Sequence, residues 1–134
     1  MIAVDTSVVV AGLASWHEGH AVASLALKRG PRIPAHVLIE SYSVLTRLPP
    51  PHRMQPDLVA ELLRGRFRQA PLTLGGKGHV SLLRFAVEGP ISGGAIYDAL
   101  VGITAKRAAA TLLTRDRRAV STYDVVGVRY EFVG

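Results

Sequence analysis

Short, continuously apolar runs alternate along this chain with longer segments in which apolar residues recur every three or four positions. Ile2-Ala3-Val4 is a run of the buried-strand type that ends at Asp5, and Thr6-Ser7 are good caps for a helix starting at once after it. His17 to Arg29 carries Val22, Leu25 and Ala26 on one helical face and stops at Gly30-Pro31. The Ile33 region can form a second short strand before Pro34. Between Ala35 and Leu48, the residues Leu38, Tyr42, Leu45 and Leu48 repeat at helical spacing, and Pro49-Pro50-Pro51 ends that helix. Pro56 and Asp57 open another, with Leu58, Leu62, Leu63 and Phe67 as its buried stripe.

Pro71-Leu72-Thr73-Leu74 reads as a strand, Gly75-Gly76 as a turn and Gly78 to Glu88 as a helix. After the break at Gly89-Pro90, Ser92 is placed to cap a long helix from Gly93 or Gly94 to about Ala109. Thr111 to Thr114 reads as a buried strand ended by Arg115-Asp116-Arg117-Arg118, followed by a short helix through Ala119 to Tyr123 and a last strand, Val128 to Val133. Strands alternating with helices long enough to cross over predict an α/β fold with a parallel, helix-covered sheet. No repeat, low-complexity tract or long linker interrupts the pattern, so residues 1–134 are expected to form a single domain, with Pro49 to Pro56 as the best candidate for a mobile loop.

Composition narrows the class. A chain of 134 residues, 49% hydrophobic, can bury a real core without staples. The absence of cysteine excludes a disulfide framework and any zinc site built on thiolates. The longest stretch free of Asp, Glu, Lys and Arg is the 12 residues Thr6 to His17, short of the ~20 that a membrane helix needs. With no basic leader at the start, the expectation is a soluble, cytoplasmic protein. The 16 Lys and Arg against 10 Asp and Glu give a net charge of +6, which points towards a polyanion. Arginine supplies 13 of those 16 charges in a chain also rich in Ala, Gly and Val, as a GC-rich genome would give too, so the acids have to decide.

Glu18, Asp57, Glu61, Glu88 and Glu131 fall on polar faces or helix starts, and Asp124 in a turn before Gly127. Four acids lack so easy a place. Asp5 ends the first strand and Asp116 lies two residues beyond Thr114, and in a parallel sheet the carboxyl ends of strands share the edge where such folds bind ligands. Glu40 sits in an otherwise apolar helix, and Asp98 one turn into the helix after Ser92, with Gly94, Val101 and Gly102 on its face. Each has a local alternative: Asp5 as a helix cap, Asp116 paired with Arg115 or Arg117, Glu40 with Arg47 or His36, and Asp98 as a helix-dipole partner. Four exceptions are better explained by one cluster. Converging carboxylates raise one another's pKa values unless a cation intervenes, and oxygen ligands without His or Cys suit Mg2+ or Mn2+. Two such ions are a known solution to phosphodiester cleavage. Setting the four aside leaves six acids against 16 bases, or +10, outside the site.

Other features weigh less. His17 and His20 read as surface residues rather than a metal pair, Arg64, Arg66 and Arg68 as a solvated helix end, and Gly75-Gly76-Lys77-Gly78 as a turn that lacks phosphate-loop spacing.

Val4-Asp5-Thr6-Ser7, the mid-helix Glu40, Ile96-Tyr97-Asp98-Ala99-Leu100 and Leu112-Leu113-Thr114-Arg115-Asp116 together resemble, in order and spacing, the acidic motifs of PIN-domain ribonucleases. Size and coverage match VapC-like toxins of bacterial type II toxin–antitoxin modules. The resemblance implies a three-layer α/β/α fold with a short, mostly parallel central sheet. It places the catalytic and metal-binding acids on Asp5, Glu40, Asp98 and Asp116, with Ser7 and Thr114 as small hydroxyls beside the metal. It further implies an Mg2+- or Mn2+-dependent endoribonuclease that cuts single-stranded regions of structured RNA, such as tRNA, rRNA or mRNA, a homodimer, and a cognate antitoxin. Some relatives carry a fifth acid just after the last aspartate; here Arg117, Arg118, Ala119 and Val120 stand there, and Asp124 is the nearest substitute.

On this reading Asp5, Asp98 and Asp116 hold the main ion, Glu40 binds a second ion or orients the attacking water, and Arg115, Arg117 and Arg118 hold the RNA backbone. Two rivals remain: a Mg2+-dependent phosphatase with Asp5 as nucleophile, which Ser7 argues against where a second aspartate is needed, and a non-catalytic RNA- or partner-binding module of the same fold.

Overall fold

Three short strands, β1 (Ile2–Val4), β2 (Thr111–Thr114) and β3 (Tyr130–Phe132), form one parallel sheet in the order β1-β2-β3 in the computed structural model, which describes residues 1–134. Ile2 lies beside Thr111 and Val4 beside Leu113, while Leu112 pairs with Tyr130 and Thr114 with Phe132. Successive residues of a strand point to opposite faces, yet Ala3, Val4, Leu112 and Leu113 are all fully buried, so both faces of the sheet are covered.

Seven helices supply that cover: α1 (Thr6–Leu13), α2 (His20–Lys28), α3 (Ala35–Thr46), α4 (Pro56–Arg66), α5 (Gly75–Glu88), α6 (Ala95–Arg107) and α7 (Val120–Val126). Helices α1 and α6 pack on β2, α2 and α3 on α1, and α7 on α6. Together they enclose one cluster of 27 buried apolar residues, with Val4, Val8, Leu45, Leu112 and Tyr123 at its centre. No helix is long and apolar enough to cross a membrane.

Several expected elements are shorter than the apolar pattern suggests. The strands expected around Ile33 and Leu72 reduce to isolated bridges, Ala3 with Arg32 and Pro34 with Leu72. Pro31, Pro34 and Pro71 each lack the N–H that a longer ladder needs. Gly75 and Gly76 begin α5 instead of forming a separate turn. Ser92 does not cap α6, whose N-terminal boundary is Gly94 with no side-chain bond. Residues 14–19 stay outside α2 in a loop tied by His17 N–H to Ala14 O and His20 N–H to His17 O, both 3.0 Å.

Two chain reversals place the strand ends. Asp5 is still extended (φ −95°, ψ 176°) and already caps α1, its carboxylate accepting the Val8 N–H at 3.4 Å, so strand passes to helix through this single residue. At the other end of the sheet, α6 finishes with Ala109 N–H bonded to Lys106 O at 2.9 Å and Ala110 N–H to Ala105 O at 3.0 Å, the Schellman arrangement. That turn delivers the chain into β2 and forces Ala109 to φ 55°, a left-handed conformation that glycine adopts without penalty. Ala109→Gly should therefore stabilise the fold by about 0.5–1 kcal/mol, seen as a higher urea midpoint with unchanged slope.

Candidate active site at the carboxyl ends of the strands

An open cleft of about 580 Å³ lies where β1 and β2 end, lined among others by Ser7, Glu40, Asp98 and Asp116. Asp5 is buried behind it, 4% exposed, and joins it through Ser7. The four acids singled out above thus meet from four elements: the end of β1, the middle of α3, the first turn of α6, and the loop after β2.

Both oxygens of Asp5 accept hydrogen bonds. Oδ1 accepts the Ser7 hydroxyl at 2.5 Å and the Val8 N–H, while Oδ2 accepts the hydroxyls of Thr114 and, at 2.9 Å, Tyr123. The two small hydroxyls also accept: Ser7 Oγ from the Arg115 N–H at 2.8 Å, and Thr114 Oγ1 from the Asp116 N–H at 3.0 Å. A relay of donors thereby locks the loop after β2 onto the end of β1. Burial pushes the Asp5 pKa up, against the hydrogen bonds of Ser7, Thr114, Tyr123 and Val8. Burial and the nearby Asp5 charge push the Tyr123 hydroxyl well above its ordinary range, so it remains a donor.

Glu40 accepts the Thr6 hydroxyl on one oxygen and has His36 Nε2 at 3.6 Å from the other, so of its two local partners it is His36, not Arg47, that it meets. The His36 ring is stacked on Tyr97, centroids 5.1 Å apart. Asp116 accepts the Arg118 N–H at 3.0 Å, with the Arg118 Nε at 3.9 Å; neither Arg115 nor Arg117 pairs with it. Asp98 has no ion-pair partner. Its pKa is pushed up to about 6 by burial and then by the charges of Asp116, Asp5 and Glu40, with His36 pulling the other way.

The arginines divide. Arg118 is almost fully exposed on the cleft rim. Arg117 lies over the Phe132 ring at 4.4 Å. Arg115, expected on the RNA backbone, also reaches the cleft, but its guanidinium is held by Val133 O at 2.7 Å and packs where a Cβ on Gly19 or Gly134 would stand. Asp124 is exposed and does not line the cleft. Sequence reasoning missed Glu18 and His17, which do line it, and the buried Tyr123. The signal for Tyr123 is that a buried tyrosine needs a partner for its hydroxyl.

No three of the acids are drawn close enough to share one ion in this conformation. The donor set nonetheless suits a hard dication: every candidate ligand is a carboxylate oxygen, and Asp98 is half-buried among three like charges without an ion-pair partner of its own.

Known proteins share both the sequence pattern and the fold. The PIN domain profile matches residues 2–125. Ribonuclease VapC40 of Mycobacterium tuberculosis, in two strains, is 53% identical over 133 residues, covering 99% of this chain and 99% of its own. Ribonuclease VapC27 of the same species is 44% identical over 128 residues, 95% of this chain and 93% of its own. Two solved structures share the fold at 17% identity: FitAB bound to an IR36 DNA fragment (TM-score 0.71, 98% of this chain and 94% of that one) and FitAcB from Neisseria gonorrhoeae (TM-score 0.69, 97% and 96%).

The crowding of Asp98 has a measurable cost. A carboxyl whose pKa rises from 3.8 in the unfolded chain to about 6 in the fold binds its proton more tightly when folded, so its contribution is most favourable below the lower value, declines as pH climbs between the two, and stays low above the upper. In EDTA, Asp98→Asn should be more stable than the parent at neutral pH by roughly 1 kcal/mol, allowing for solvent screening of a half-exposed group, and no more stable at about pH 4. Thermal unfolding of the two proteins across that range checks both the sign and the window.

Proposed function

The chain belongs to the PIN-domain family, and from that premise we propose that it is a metal-dependent endoribonuclease, the toxin of a type II toxin–antitoxin pair, acting in the cytoplasm on structured RNA such as tRNA, rRNA or mRNA. The observation that carries the reading is identity of 53% along essentially the whole chain with a protein named as a ribonuclease, in a fold with Glu40, Asp98 and Asp116 on one cleft and Asp5 buried behind it.

Asp5, Asp98 and Asp116, with Glu40 across the cleft, would hold Mg2+ or Mn2+. When bound, such an ion activates water and stabilises the leaving oxygen of the phosphodiester. The protein's own part is positioning. Ser7, Thr114 and Tyr123 fix the Asp5 carboxylate, and the N–H groups that Ser7 and Thr114 accept hold Asp116 in register with it. Thr6 orients Glu40. Arg118, free on the rim, and Arg117 grip backbone phosphates, while Arg115 holds the loops around the cleft in place. A cognate antitoxin that covers the cleft belongs to the same proposal.

A homodimer belongs to it as well. Val80, Leu83 and Val87 stand exposed on one face of α5, with Ile39 of α3 and Tyr97 of α6 also open to solvent, a quantity of apolar surface that suits a second copy better than water. Leu83→Glu should then halve the mass found by sedimentation.

The purified protein, freed of any partner, should cleave RNA with Mg2+ or Mn2+, leaving 5′-phosphate and 3′-hydroxyl ends, and should stop in EDTA. Asp98→Asn should lower kcat/KM at least about a hundredfold. Cleavage that survives EDTA, or that is untouched in this variant, overturns the reading.

A further inference from the structure

The cleft continues into an aromatic surface that the reaction itself does not require. His17 lines the cleft beside the acids. Its ring is 5.7 Å from that of Trp16, and Trp16 in turn is stacked on His52 at 4.1 Å, so three rings run from the cleft outwards. Trp16 is the chain's single tryptophan, and it is 44% exposed although one face rests on His52, so much of the indole stays in water. Its neighbours Glu18, His52 and Arg53 are polar and exposed, which sets it apart from the apolar face of α5.

Both loops that carry the rings are fixed. The Trp16 loop is tied at Ala14 and His17, is packed against the Arg115 guanidinium at Gly19, and is followed by His20 Nδ1, which donates to Ala11 O at 3.0 Å. The His52 loop, expected to be mobile, is held by His52 N–H to Pro49 O and Met54 N–H to Leu45 O, each 3.0 Å, and by Arg53 Nε to Leu48 O at 2.8 Å. His17 Nδ1 accepts the Gly19 N–H at 2.9 Å, which leaves its Nε2 as the donor available to a ligand. A flat, exposed, pre-positioned indole beside a site for phosphodiesters, with Arg118 on the same cleft, is the arrangement by which proteins hold unpaired nucleotides: cations take the phosphates, and an aromatic face takes the base.

We propose that Trp16, flanked by His17 and His52, is a stacking platform for one unpaired RNA base next to the scissile phosphate. The inference rests on the ribonuclease reading and requires an unpaired base beside the cut, since a base stacked within a duplex cannot reach the indole.

Because Trp16 is the sole tryptophan, its own emission reports the contact. In the Asp98→Asn background with Mg2+, binding of a short end-labelled oligouridylate, followed by anisotropy of the label, should quench tryptophan emission, whereas an RNA duplex should bind without quenching. Trp16→Leu should raise the Kd for oligouridylate about tenfold, and Trp16→Phe, which keeps a ring, by less. Neither should change the Kd for an abasic ribose-phosphate strand of equal length. If Trp16→Leu fails to fold, shown by its circular dichroism, the quenching of the unaltered tryptophan and the Trp16→Phe value decide. Binding with emission unchanged and equal Kd values overturns the platform and leaves the ribonuclease reading standing. Failure of the parent protein to bind or cleave RNA with either metal overturns that reading and the platform together.

Discussion

The Asp5 carboxylate accepts hydrogen bonds from Val8, Ser7, Thr114 and Tyr123, which come from the start of α1, the end of β2 and the middle of α7. One buried group thus sets the turn from β1 into α1, closes β2 at the right residue, and docks α7 against the sheet. The buried donors of Val8, Thr114 and Tyr123 would be left without an acceptor if the carboxylate were removed, at about 1–3 kcal/mol apiece. The arrangement explains why such short strands suffice. Three residues of β1 need no longer ladder when the residue that follows them ties three other elements to them.

A consequence is that architecture and chemistry share the same atoms. Burial, and after it the charges of the other acids, raise Asp98, so the fold carries an electrostatic load at the site and offsets it through the cluster of 27 apolar residues. Arg115 shows the same sharing from the basic side. Its backbone N–H feeds the Ser7 relay, while its guanidinium spans from the carbonyl of Val133 to Gly19 of the loop that presents Trp16 and His17. A charge that composition assigns to nucleic acid is engaged in holding the cleft's walls together.

The sequence made the strand-end acids legible because a buried apolar run followed by Asp has few readings, and because parallel strands share an edge. Glu40 and Asp98 could be placed because a carboxylate in an apolar or small-residue helix stands out. Partners hidden by distance were not legible: nothing local links Tyr123 to Asp5, 118 residues away, or Trp16 to His52. The second and third expected strands failed for a different reason. The apolar residues at Ile33 and Leu72 do pack as a strand would, but proline withholds the donors that would make one, and periodicity carries no information about ladder donors.

The pairing of β1 with β2 joins residues 2–4 to residues 111–113, and Asp5 then waits for Thr114 and Tyr123. Contacts of such sequence separation form late, because the intervening chain must be closed first. On a ribosome adding ~5–20 residues per second, roughly 6–24 s separate the emergence of Asp5 from that of its last partner, 118 residues on. Throughout that interval the nascent chain carries its acids without a cleft to gather them. The synthesis machinery, itself made of RNA, is therefore not exposed to an assembled site on the growing chain, and the order of residues along the sequence acts as a delay.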